Sequence, residues 1–274
     1  MIYLRALSKA ASAGEDGYPL STGLCRAFER LDFPSEVTLL AGDNGSGKTT
    51  LLEIVARKVS AVRIDGAPGE ALPKLAGFGA VDRAFRAELA RRPARSFYFH
   101  AEGFVRYLDS LRAMREQAQG DLARTRDQYR DRSAFARGQA EMAHRRTLHE
   151  LENLYENDLN ARSHGEGFLD FYAGRLAPGG LYLMDEPEAA LSYFNQFVLL
   201  NMIAEARKQG CQFIISTHSP VLLACPDAAI YEIADGRISR AAYDRLENVR
   251  FLKSFLAQPG RYLRDRPDDE QEEP

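Results

Sequence analysis

The chain has 274 residues, of which 45% are hydrophobic and 27% charged, a composition that excludes disorder as its main state. No apolar run approaches ~20 residues and the first ten residues lack a secretory apolar stretch, so the reading is a cytoplasmic protein without membrane insertion. The formal charge of −3 is local: five acids follow Pro267, and without them the remainder stands at +2, which excludes a global basic field for nucleic acid.

The N-terminal third holds short β-rich runs, Ile2–Leu7, Val37–Ala41 and Ala61–Ile64. The second leads through a glycine-rich turn into a helical pattern, Thr49–Val59. Pro68–Phe85 is broken by glycine and proline, and Ser96–Phe99 is a further short strand. From about 103 to 162 proline and lysine vanish, and eleven arginines alternate with ten acids. Leu108, Leu111, Met114, Ala118, Leu122, Thr125 and Tyr129 form one helical stripe; Leu148, Leu151, Tyr155 and Leu159 form a second. With a bend at Ser133–Gly138 between them, the pattern predicts an antiparallel helical pair inserted into an α/β domain. Salt-bridged helices are one reading of its charges; an arginine face for nucleic acid or a partner is the other. His144 and His149 are five apart, off one face, and are assigned no metal.

Strand patterns return at Leu181–Asp185, Phe213–Thr217, Ala229–Ile233 and Arg237–Arg240. The helix Ser192–Gln209 lies between the first two and stops at Gly210. This alternation predicts a largely parallel sheet covered on both faces, closed by an Asp235–Gly236 hairpin. Residues 1–267 are expected to form one domain and 268–274 a solvated acidic tail. Cys25, Cys211 and Cys225 are too few and scattered for disulfides or a zinc cage, and read as reduced core thiols.

The strongest chemical signal is GxxxxGKT, formed by Gly42, Asp43, Asn44, Gly45, Ser46, Gly47, Lys48 and Thr49 with Thr50 following. It stands after a strand and before a helix. Glycines let backbone N–H groups wrap a phosphate, and the helix N-terminus adds favourable partial charge. Lys48 can reach β- and γ-phosphates, and the Thr49 hydroxyl can ligate Mg²⁺. In a second signal, the apolar strand Leu181–Met184 ends in Asp185 and Glu186. Asp185 is suited to hold Mg²⁺, mainly through water, and Glu186 to polarise an attacking water.

With DEPEAAL at 185–191, STHSP at 216–220 and SHGEG at 163–167, the sequence resembles ABC-type ATPases over about residues 1–240. Within them it is similar to a group of compact, soluble bacterial "predicted ATPases" with an SHGE signature. The resemblance implies an α/β P-loop NTPase fold, an ABC-like sheet core with a helical insertion subdomain. It further implies ATP and Mg²⁺ bound at a head-to-tail homodimer interface. His218 would contact the γ-phosphate, while Ser163 and Gly165, at a helix N-terminus, would face the nucleotide of a second subunit. Tyr18 is the candidate for stacking on adenine, with a surface turn tyrosine as the alternative.

The sequence departs from the family in four places. His164 and Glu166 alter the signature, Ser192 stands where transporter ATPases carry an aspartate, and the Q-loop glutamine is absent. His100, Glu102 or no side chain takes the glutamine's part. The missing glutamine and the altered signature favour an engine acting on nucleic acid or a protein partner, in genome maintenance or phage defence. A transporter's nucleotide-binding subunit, with a separate membrane chain, is the alternative.

Overall fold

The computed structural model describes residues 1–10, 17–64, 79–152 and 164–263. In chain order β1 (Leu4–Lys9), α1 (Gly23–Ala27), β2 (Arg30–Asp32), β3 (Val37–Ala41), α2 (Lys48–Lys58) and β4 (Val62–Ile64) come first. They are followed by α3 (Gly79–Ala84), β5 (Phe85–Leu89), β6 (Arg95–His100), α4 (Ala101–Gln128), α5 (Ala134–Glu152) and α6 (His164–Arg175). The last third holds β7 (Gly180–Asp185), α7 (Tyr193–Lys208), β8 (Gln212–Ser216), α8 (Pro220–Leu223), β9 (Ala229–Ala234), β10 (Arg237–Arg240), α9 (Glu247–Ala257) and α10 (Pro259–Tyr262).

Seven strands form one sheet in the order β10-β9-β3-β8-β7-β6-β4. Pairing is parallel from β9 through β4, and only β10 runs antiparallel, on β9. Because strand side chains alternate between faces, the sheet feeds two cores. Leu39, Tyr182, Met184, Phe213 and Ile215 point into one, with Leu199 and Ile203 of α7. Leu40, Leu181, Leu183 and Ile214 point into the other, with Leu51, Leu52 and Val55 of α2. Both faces are therefore covered, as a parallel sheet requires.

A second, antiparallel sheet, β2-β1-β5, lies beside the α2 core and went unread in the sequence. β2 has only three residues, and the alternation of β5, Phe85, Ala87 and Leu89 against Arg86 and Glu88, spans only five, so neither is long enough to stand out as a strand. The strand expected at Ile2–Leu7 runs instead from Leu4 to Lys9. The buried Gln212 amide explains the shift: its Oε1 accepts from Tyr3 N and Leu4 N, each at 2.8 Å, and its Nε2 donates to Leu4 O at 2.9 Å. Those backbone groups are satisfied by a side chain from β8, and the ladder with β5 begins at Leu4 opposite Leu89, with a register shift before Ala6.

The helical pair is present as α4 and α5, with its break earlier than Ser133–Gly138. Residues 129–133 turn, Ser133 Oγ accepts from Ala136 N at 3.3 Å, and Gly138 lies within α5. A serine cap thus sets the start of the helix, and the glycine is tolerated inside it. Of the expected stripes, Leu111 and Ala118 are buried. Met114 is 37% exposed, and Tyr155 and Leu159 lie outside the described residues. No helix among the described residues is long and apolar enough to cross a membrane.

Candidate nucleotide site

All strands from β9 to β4 run in one direction, so their carboxyl ends share one edge, where doubly wound sheets bind ligands. The β3–α2 turn, the β7 end and the β8 end meet there. Register makes the meeting exact to one row: His100 pairs across β6–β7 with Asp185, Asp185 with Ser216, and Ser216 with Leu40. This row shares the face of Leu40, Leu183 and Ile214, on which α2 packs, and so looks toward the glycine-rich turn.

The turn's glycines have steric reasons. A Cβ on Gly42 would stand 2.3 Å from Ile233 O, so only glycine lets the loop leave β3 against β9. Gly47, the N-cap of α2, has φ 102°, and its Cβ would meet Leu24 of α1 at 2.6 Å. Lys48 is buried, and its Nζ donates to Gly42 O at 2.8 Å and Asp43 O at 2.9 Å. Burial holds this ammonium below its ordinary pKa, opposed by the nearby Glu186, Asp185, Glu188 and Asp43. Thr49 is partly exposed in the first turn of α2. Thr50 faces elsewhere, its Oγ1 sharing a 3.2 Å hydrogen bond with the Tyr18 hydroxyl. Tyr18, 55% exposed, is thereby tied to the start of α2.

Asp185 ends β7 with its side chain fully buried. Ser216 Oγ donates to its Oδ1, Tyr98 donates to Oδ2 at 3.3 Å, and His100 Nε2 lies 3.5 Å from Oδ2. Of the candidates for the missing glutamine, His100 is thus beside the carboxylate; the Glu102 side chain lies outside the described ones. Glu186 follows in left-handed backbone geometry, φ 48° and ψ 52°, uncommon for a residue with a Cβ. Its N–H donates to Ser216 O at 3.1 Å, which fixes this turn. The Glu186 side chain is 41% exposed, and its Oε1 lies 3.4 Å from His218 Nε2.

Glu188 is a positioning residue that the motif reading passed over. It sits in the 3₁₀ turn Pro187–Ala190. Its Oε1 accepts from His218 N at 2.6 Å and Ser219 N at 3.1 Å, which fixes the segment after β8 to the β7 end. Burial raises its pKa, opposed by hydrogen bonds that include the one from His218. The His218 carbonyl in turn accepts from Asn248 Nδ2 of α9 at 3.1 Å. A glutamate two residues after Glu186 is visible in the sequence, but its targets lie just past the end of another strand, β8.

At this edge the carboxylate oxygen Glu188 Oε2 and two atoms able to donate, Ser46 Oγ and His218 Nε2, are buried and make no hydrogen bond among the described residues. Buried polar atoms are ordinarily paired, and the two potential donors suit phosphate oxygens. The oxygen donors of Thr49 and Asp185 suit a hard cation such as Mg²⁺. No cluster of three or more His, Cys, Asp or Glu that could hold a metal is found among the described residues.

α6 lies on the opposite face, beginning at His164, with Gly165 in its first turn; Ser163 lies outside the described residues. Phe168, Phe171 and Tyr172 pack this helix down. The Phe99 ring of β6 meets Phe171 at 5.7 Å and Tyr172 at 5.1 Å, and Phe168 meets Tyr172 at 5.0 Å. The signature helix is thus anchored to the strand that ends in His100.

Residues 80–224, more than half of the chain, match the family described as "AAA domain, putative AbiEii toxin, Type IV TA system". Over 210 residues the chain is 31% identical to the hemin import ATP-binding protein HmuV of Streptomyces coelicolor, covering 74% of this chain and 67% of that protein. It is 26% identical over 249 residues to the macrolide export ATP-binding/permease protein MacB of Hahella chejuensis, covering 87% of this chain but only 33% of that one. The Smc head domain of Pyrococcus furiosus superposes with a TM-score of 0.43 at 16% identity, covering 93% of this chain and 100% of that one. The match over residues 80–224 and the HmuV likeness agree with the phosphate-loop edge described above: the chain belongs to this AAA domain family and is an ABC-type P-loop ATPase domain.

Proposed function

We propose that the protein binds and hydrolyses MgATP at the interface of a head-to-tail homodimer. The observation that carries this reading is the convergence of Lys48, Asp185, Glu186 and His218 on one sheet edge, beside the buried Ser46 Oγ, which has no hydrogen-bond partner among the described residues. Residues Gly42 to Thr50 wrap the phosphates, and Lys48 exchanges its two carbonyl partners for β- and γ-phosphate oxygens. Thr49 and Asp185 would hold Mg²⁺, which supplies charge neutralisation on the phosphates. Glu186 accepts a proton from water as that water attacks the γ-phosphorus, and the bond to the β–γ bridging oxygen breaks. His218 donates from Nε2 to a γ-phosphate oxygen and, beside Glu186, holds the attacking water. Ser163 and Gly165 of a second copy complete the γ-phosphate shell, and Tyr18 stacks on adenine.

The test is Glu186→Gln. The amide keeps shape but cannot take the proton, so hydrolysis should fall by about 10²–10⁴ while ATP binding persists. Turnover near the wild-type rate would remove Glu186 from the role of base.

The role we favour is an engine acting on nucleic acid or a protein partner. It is supported by the missing glutamine, by the altered signature and by a family description that names a toxin–antitoxin system. The likeness to HmuV supports a second reading, the nucleotide-binding subunit of a transporter. A permease encoded next to this chain would favour the second, and a nuclease or toxin the first.

A further inference from the structure

α7 leaves the carboxyl end of β7 and returns to the start of β8, so its first turn stands at the nucleotide edge. Ser192 caps it, with Oγ accepting from Asn195 N at 3.2 Å. One side of the helix, Gln196, Leu199, Ile203 and Ala206, is buried against the sheet. On the other side Tyr193, Phe194 and Phe197 are 68%, 73% and 54% exposed. Three large aromatics bared within five residues are unusual, and residues 193–197 carry no charge. Aromatic enrichment with charge depletion is the composition of an interface core.

We propose that Tyr193, Phe194 and Phe197 are the apolar anchor through which a second copy of this chain docks across the nucleotide edge. The inference rests on the composite-site reading above and names the surface that holds the composite together. Two observations select a second copy as occupant. The patch begins two residues after Leu191, in the chain segment that also holds Glu188 and, through it, His218; any copy that delivers its signature helix to the γ-phosphate must close over this edge. The area argues the same way. At these exposures the three rings offer roughly 400 Å², so a twofold pair buries about 800 Å² in all. A stable interface needs about 1,200–2,000 Å². The aromatic patch alone is therefore insufficient. In the composite-site reading the contacts through bound nucleotide add to it, which makes the dimer one gated by ATP.

Sedimentation of full-length Glu186→Gln protein with MgATP, with ADP and without nucleotide tests this, against the same protein carrying Phe194→Ser and Phe197→Ser. The expected result is a dimer only with MgATP, weakened about a hundredfold or more by the two serines. ATP affinity at protein concentrations below dimerisation should be unchanged, since neither ring touches the phosphate loop. Phe194→Leu with Phe197→Leu should restore most of the association. Equal dimerisation with and without the serines, at preserved ATP-dependence, overturns the anchor and leaves the composite site standing. An equally strong dimer without nucleotide overturns the gating. A Glu186→Gln protein that binds MgATP yet stays monomeric at all concentrations overturns the composite site, and the anchor with it.

Discussion

Buried charge is handled in opposite ways at the phosphate-loop edge and in the helical pair. In the pair, Glu141 is covered by guanidinium groups from both helices, Arg145 Nη2 at 2.6 Å and Arg126 Nε at 3.5 Å. Charge there is cancelled by charge. At the edge, Lys48 is held by two neutral carbonyls, and Asp185 by the hydroxyls of Ser216 and Tyr98. Neutral dipoles orient these groups without consuming their charge, which stays available to a ligand. The difference teaches where to look for chemistry: buried ions steadied by dipoles are poised, whereas a buried ion capped by exposed opposite charges is structural.

The largest effect expected from this contrast comes from Lys48→Ala. Loss of the ammonium should lower turnover by about 10²–10³ or more and weaken ATP binding, as loss of a preorganised charged donor does. Stability should change far less. Two carbonyls lose a donor, but a cation that burial already disfavours is removed at the same time. Calorimetric ATP affinity equal to wild type would take Lys48 out of the site; a collapse of the fold would make it structural, like Glu141.

Ser216→Ala should act at a smaller scale. It removes the hydroxyl that orients Asp185 while sparing the backbone carbonyl that accepts from Glu186 N. Tyr98 and His100 remain beside the carboxylate, so we expect kcat to fall by about 10–100-fold, with a raised magnesium requirement and little change in KM for ATP. Ser216→Thr should recover much of the loss. An unchanged magnesium requirement would remove Ser216 as the positioning group.

How legible this was follows from where each partner sits in the chain. Gly42 to Thr49 act through their own consecutive backbone, and Asp185 with Glu186 ends an unmistakable apolar strand, so these residues could be read directly. Tyr98 and Ser216 are partners of Asp185 only because three parallel strands share a register, which no local pattern encodes. Glu188 is likewise adjacent in sequence to the site but acts on the end of β8. The small sheet escaped for the converse reason: Arg30 and Glu88 look like loop charges until β1 brings their strands together, where they form an ion pair at 2.6 Å. The exposed aromatics of α7 were plain to see, but exposure itself is not a property of sequence.

The smallest effect belongs to Glu141→Gln, and it sharpens the comparison from the other side. Arg145, by its hydrogen bond and its charge, and Arg126 hold the Glu141 carboxyl below the ordinary carboxylate range. A depressed carboxyl pKa contributes stability that is present above the unfolded value and lost as pH falls through the folded one. Wild type should therefore exceed the glutamine variant in melting temperature at neutral pH, and the two should converge in acid. Added salt should narrow the gap as well, because both arginines are more than half exposed and their attraction is screened. ATP turnover should be untouched throughout. Charge cancelled within the pair has no further task at the nucleotide edge, so a fall in turnover at unchanged stability would show that the pair reports to the site and that the division drawn between the two regions fails.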